Sequence, residues 1–220
     1  MMYKFFLYTI LTIIYLGLAK ALSPSELGVH YLQNERSFHK IIKGHQTTAI
    51  LIDTHATGFL IKTYYQKYRV ISGYDTVEEF IVRTSREFAK KNLHNIGLSI
   101  YRKTDSKEEF LPLPPGSTYV GNREFGEWRI NKQGIMKWRF NKAFKNFPRY
   151  LGWGKFRPDI NFSQQLKSHM TMNQQYLGEN NEFGPAGYIT RENFPHFFRD
   201  ERKRKIDMKS LLLQYFKENF

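Results

Sequence analysis

Any chemistry in this chain must come from carboxylates, histidines, hydroxyls and cations, because its 220 residues include no cysteine. Thiol nucleophiles, Cys-ligated zinc, iron–sulfur clusters and disulfide scaffolds are thereby excluded. The most distinctive segment is Trp128 to Pro158, where nine Lys or Arg and eight Phe, Trp or Tyr fall within 31 residues without one Asp or Glu. Ammonium and guanidinium groups would hold phosphates or carboxylates, and flat rings would stack on sugar faces or bases. The candidate binding residues are Trp128, Arg129, Lys137, Trp138, Arg139, Lys142, Lys145, Arg149, Tyr150, Trp153, Lys155 and Arg157. The competing reading makes the aromatics core and the cations a solvated face.

Glycan hydrolysis needs a protonated carboxyl, and a second carboxylate across the bond, with an apolar wall raising the pKa of the acid. Glu124 and Glu127 precede the basic stretch, Asp159 follows it, and Glu179 and Glu182 lie in a polar loop. Glu124, Glu127, Glu179 and Glu182 are therefore the candidate catalytic residues, with Glu127 singled out by its neighbour Trp128. Asp53-Thr54-His55 is a D-x-H step at the end of an apolar run, as in metal-dependent hydrolases, but no second ligand pair accompanies it. A turn aspartate beside a hydrogen-bonded histidine is the simpler expectation. His39 and His45 read as surface residues near a helix end. No metal or cofactor is expected, and no G-x-S-x-G, P-loop, G-x-G-x-x-G or H-E-x-x-H pattern occurs.

The compartment bears on which anion is available. Lys4, the 14 mostly apolar residues from Phe5 to Leu18, and Ala19-Lys20-Ala21 make a signal peptide over residues 1–21. An uncleaved anchor is the alternative, although 14 helical residues reach about 21 Å against a hydrocarbon core of about 30 Å. An exported, cysteine-free chain rich in Lys, Asn, Ile and Phe reads as bacterial, at work in the periplasm or on the cell surface. The formal net charge of +14 would suggest nucleic acid in the cytosol; in the envelope the candidates are anionic glycans and cell-wall polymers. No nucleic-acid motif is present. The run Arg199 to Lys205 suits a helix C-terminus, with contact to an anionic membrane surface as its second reading.

The elements that must position these residues give an α+β class with mixed helices and short antiparallel strands. Ser23-Pro24-Ser25-Glu26 opens a helix expected to run to Gly44. Thr47 to Ile52 and Phe59 to Tyr65 predict strands around a turn at Asp53 to Gly58, with Tyr68 to Ser72 a further strand. Asp75 opens what reads as the clearest helix, striped by Val77, Phe80, Ile81, Thr84, Phe88 and Leu93. Ile96 to Tyr101 predicts a strand. Three prolines in Leu111 to Ser117 predict an extended connector between an N-terminal half, 22–110, and a C-terminal half, 118–220, which are either two domains or one domain over which the connector runs. The first half carries 13 basic and 10 acidic residues, the second 19 and 10, so most of the charge excess follows the connector. There, residues 127–140 predict a β-hairpin around Asn131 to Gly134. Asn161 or Ser163 caps a helix to Met170, Thr190 a helix towards Arg204, and Asp207 a last one.

The leading functional expectation is a basic, aromatic surface presented to an anionic envelope polymer. A peptidoglycan hydrolase with a Glu general acid is the first alternative, and a periplasmic interaction or assembly protein without catalysis the second.

Overall fold

The computed structural model describes residues 2–22, 29–44, 46–57, 62–73, 76–104 and 107–204. The class is α+β: a six-stranded mixed sheet, a separate antiparallel hairpin and helices towards the C-terminus.

Helix α1, Met2–Leu22, leaves Phe5, Tyr8, Ile13 and Leu16 exposed. No helix among the described residues is long and apolar enough to cross a membrane. Residues 23–28, where the capping box falls, lie outside the described residues. The expected helix to Gly44 is corrected in its middle. Tyr31–Leu32 forms β1, and only Phe38–Ile41 is α-helical, as α2. Leu32 is fully buried, and the backbone there pairs in parallel with a later strand, which outweighs helical spacing.

Strand β2, Thr47–Thr57, is longer than predicted, so Asp53 to His55 lies within a strand rather than a turn, and β3, Thr63–Ser72, joins the end of the expected Phe59 to Tyr65 run and Tyr68 to Ser72 into one strand; residues 58–61 lie outside the described residues. A register shift between Leu51 and Asp53 keeps the pairing with β3 going through this step. The larger correction concerns Thr76–Thr84, which is strand β4, paired with β3 along its whole length. Its β-branched Thr76, Val77, Ile81, Val82 and Thr84 favour a strand, and the residues it turns inward towards its end, Phe80, Val82 and Thr84, alternate, while Ile81 of the helical stripe is exposed. The helix is confined to Arg86–Lys91, α3, where the Ser85 hydroxyl caps by accepting the Phe88 N–H at 3.1 Å.

Cross-strand charge reinforces β4. Glu79 receives Lys67 at 2.7 Å and Arg69 at 2.8 Å from β3. Burial alone would raise the Glu79 carboxyl, but hydrogen bonds from Lys67 and Arg69 outweigh it and hold it below its ordinary value. The stability gained is present above the ordinary carboxylate range and is lost as pH falls through the lowered folded-state value. Urea unfolding between about pH 5 and about pH 3 should show the wild type losing more stability than Glu79→Gln, by at most about 1 kcal/mol because the pair is partly solvated. Equal losses in both proteins would refute this.

Strand β5, Ser99–Lys103, and the two-residue β6, Glu108–Glu109, complete the order β1-β4-β3-β2-β5-β6. Central β2 is buried on both faces. Ala49 and Leu51 join a core with Phe38, Tyr68, Val82, Phe88 and Tyr101, while Ile50 and Ile52 point into a second core. That second core contains Ile71 and Leu98 from the sheet and Phe125, Trp138, Phe147, Trp153, Phe162 and Phe183 from beyond the connector. The connector is itself buried from Leu113 to Ser117, and Leu113 exchanges two backbone hydrogen bonds with Ser99. Residues from both sides of the prolines thus share one core.

The predicted hairpin is present as β7, Gly126–Ile130, and β8, Met136–Phe140. Helices α4, Phe147–Tyr150, α5, Ile160–Thr171, α6, Tyr188–Asn193, and α7, Pro195–Arg204, follow. Two caps are corrected. Asp159, not Asn161 or Ser163, caps α5 by accepting the Phe162 N–H at 2.9 Å, and Gly187 precedes α6, leaving Thr190 inside it. The helix expected from Asp207 lies outside the described residues.

Candidate anion-binding site

The pleat of the hairpin sorts its residues. Trp128 faces Trp138 across the pair, and their rings meet edge to face at 5.1 Å on the side towards the core. Glu127 opposite Arg139, and Arg129 opposite Lys137, occupy the other side. Both members of these two cross-strand pairs therefore point their charge away from the core.

Backbone bonds anchor this charged face. The free edge of β8 is held by Trp138 N–H to the Pro158 carbonyl at 2.8 Å, next to a bridge between Lys137 and Asp159. Asn141 ties the end of β8 back to the segment before β7, through its N–H to the Phe125 carbonyl at 2.8 Å and its amide to the Glu124 carbonyl at 3.2 Å. A short 3-10 turn, Lys142–Phe144, then buries Phe144 while leaving Lys142 and Lys145 exposed. Arg157 is held from the far side by bonds to the carbonyls of Gly154 at 2.8 Å and Phe156 at 2.6 Å, and partial burial lowers its pKa.

These elements enclose an open cavity of about 470 Å³ whose walls carry Arg129, Arg139, Lys142, Lys145, Arg157 and Glu127, with Phe140, Asn141 and Pro148 between them. The Glu127 carboxylate accepts the Arg129 Nε–H at 2.6 Å. Among the described residues, no ion pair engages Arg139, Lys142 or Lys145. Their charges face water, where an anion would be drawn in and hydrogen-bonded by several donors.

Five of the twelve predicted binding residues line this cavity. Lys137 lies on the same face of the hairpin outside it. Arg149 is exposed over the Tyr150 ring at 5.7 Å, and Lys155 is exposed beyond the rim. The tryptophans require correction. Trp138 and Trp153 are each 2% exposed, and the Trp153 indole N–H donates to the Pro115 carbonyl at 2.8 Å. Neither can stack on a ligand, because both fill the layer that covers the sheet. Trp128 and Tyr150 are half-buried against the same core. Phe140, Asn141 and Pro148 also line the cavity and are not among the candidate binding residues; for Asn141 the one signal in the sequence is its place at the end of a predicted strand before a turn.

The four candidate glutamates do not share a cleft lining. Glu127 lines the cavity, but Trp128, the wall expected to raise its pKa, is on the opposite face of β7. Glu124 is exposed outside the cavity, and Glu179 is exposed in its loop. Glu182 is buried and structural, accepting the Asn180 N–H at 3.1 Å and amide at 3.3 Å, while its carbonyl accepts Ile189 N–H. Asp159 is committed to capping. His55 lies 3.7 Å from Asp53 and stacks on Tyr65, and no group of three His, Asp or Glu converges among the described residues. His39 bonds the Arg36 carbonyl; His45 lies outside the described residues.

Gly126 sets the start of β7. A Cβ there would run into the Arg139 carbonyl and come within 2.8 Å of the Trp138 ring. Gly126→Ala should lower stability by about 1–3 kcal/mol in urea unfolding, since backbone and a buried ring must both shift. An unchanged midpoint would show that the hairpin can relax around it.

No known protein family, curated protein or solved structure matches this chain.

Proposed function

We propose that this is an exported protein of the bacterial envelope whose cavity between the hairpin and the Lys142 to Arg157 segment binds an anionic cell-wall polymer or glycan. The observation carrying the reading is five cations around one open cavity whose sole carboxylate is already engaged by one of them. Helix α1 supports export, because its described apolar side chains, between Tyr3 and Leu18, are exposed and join neither core. Burial of Trp138 and Trp153 removes the sugar-stacking platform and favours a ligand recognised by charge, one rich in phosphate or carboxylate. Co-sedimentation of the chain lacking residues 1–21 with purified sacculi, across a salt series, tests this. Binding at low salt that declines steeply with added salt is expected; no binding at low salt would overturn it.

The hydrolase alternative retains Glu127 alone in the cavity, where the reaction calls for two carboxyl groups across the bond. Release of muropeptides by the wild type and not by Glu127→Gln would favour it. The non-catalytic assembly reading would be favoured by one stoichiometric protein partner, and membrane contact through Arg199 to Lys205 by vesicle binding that survives loss of the cavity cations.

A further inference from the structure

A second cavity, sharing no lining residue with the basic one, lies where β5, β6 and the C-terminal end of α5 meet. It is about 290 Å³ in volume, and Phe110, Leu111, Leu113 and Met170 supply its apolar walls. Arg102 also lines it, although this side chain is only 1% exposed. The guanidinium is incompletely satisfied. Its Nη1 donates to the Ser99 carbonyl at 3.0 Å and its Nε to Glu109 at 3.4 Å, whereas Nη2 has no hydrogen-bond partner among the described residues. Buried guanidinium N–H groups left unpaired are strongly disfavoured, so a native one calls for an acceptor.

Charge indicates what kind of acceptor. Glu109 is shared between Arg102 and Lys107, the latter at 2.5 Å, so the three groups together keep one positive charge. Burial lowers the Arg102 pKa to about 10, with Glu109 offsetting part of the effect. Glu108 also lines the cavity, but it is exposed and accepts the Tyr101 hydroxyl at 3.1 Å, which keeps its charge at the rim.

We propose that this cavity is a separate binding site for a carboxylate carried on a short apolar stem, with the carboxylate accepting from Arg102 Nη2 and the stem lying against Leu111, Leu113 and Met170. Taking about 30 Å³ per small heavy-atom unit, the volume accommodates about ten such units, enough for hexanoate. The ligand restores neutrality to the Arg102, Lys107 and Glu109 group and gives Arg102 Nη2 an acceptor. The site requires no contribution from the polymer-binding cavity, so either can fail without the other.

The test uses the chain lacking residues 1–21 with sodium hexanoate, hexanamide and 1-hexanol, read by calorimetry and by NMR shifts of the Leu113 and Met170 methyl groups. Hexanoate should bind about tenfold or more tightly than either neutral probe, the scale of a hydrogen bond to a charged group. Met170→Trp, which fills the cavity and leaves Arg102 in place, should abolish binding while preserving the unfolding midpoint. Arg102→Gln should remove the preference for hexanoate over hexanamide if it folds; Met170→Trp decides the matter if it does not. The proposal is overturned if hexanoate shows no binding at millimolar concentration, if hexanol binds as tightly as hexanoate, or if Met170→Trp binds unchanged.

Discussion

Replacing Trp153 by Ala should lower the stability of the chain by about 3–5 kcal/mol, the largest loss expected from any single change considered above. The ring is 2% exposed, packs at 5.4 Å on Phe140 and 6.2 Å on Phe156, and its indole N–H holds the Pro115 carbonyl. Gly116 fits flush against it, since a Cβ there would lie 2.5 Å from the ring. Truncation therefore opens a cavity, leaves a buried carbonyl without its donor and loosens the proline segment together. Trp153→Phe separates these effects: it keeps most of the volume and loses about 1 kcal/mol through the missing N–H. Urea unfolding monitored by far-ultraviolet circular dichroism gives both values. If Trp153→Ala unfolds like the wild type but fails to sediment with sacculi, the ring is a ligand contact and its burial is wrong.

The opposite pattern is expected for the triple change Arg139→Gln, Lys142→Gln and Lys145→Gln. These side chains line the basic cavity, are exposed and make no ion pair among the described residues, so the unfolding midpoint should hold within about 0.5 kcal/mol. Binding to sacculi at low salt should fall by about 10- to 100-fold, at about 0.5–1 kcal/mol for each exposed contact. The slope of log affinity against log salt should flatten by about two to three, one released counterion for each lost cation. Lys132→Gln, exposed in the hairpin turn outside the cavity, serves as the control and should change binding little. Equal loss in the control and the triple variant would mean that net charge, not this cavity, drives association.

The hairpin was legible because a two-residue period and an Asn131 to Gly134 loop leave few alternatives, and the pleat then places Glu127, Arg129, Lys137 and Arg139 on one face without further information. Strand β4 was not legible. Val77, Phe80, Ile81 and Thr84 fit a helical stripe, and only the ladder with β3, which spans Tyr64 to Ser72, decides against it. Local propensity is weak beside a full set of cross-strand hydrogen bonds and the Glu79 ion pairs. The Asp159 cap is hidden for a related reason: in the sequence Asp159 is one more carboxylate beside the basic stretch, and its commitment appears only once α5 starts immediately after it.

Composition and spacing determined that thiol chemistry is absent, that the charge excess follows the prolines, and that cations and aromatics alternate between Trp128 and Pro158. They did not determine which of those aromatics face water. That depended on Ile50, Ile52, Ile71 and Leu98, whose face of the sheet has to be covered, and the cover comes from Phe125, Trp138, Phe147 and Trp153 far along the chain. Apolar burial has no direction and no preference for neighbours in sequence, so the partner that excludes water from a given face is chosen only when the whole chain has packed. Five of the nine cations left outside by that choice line the cavity.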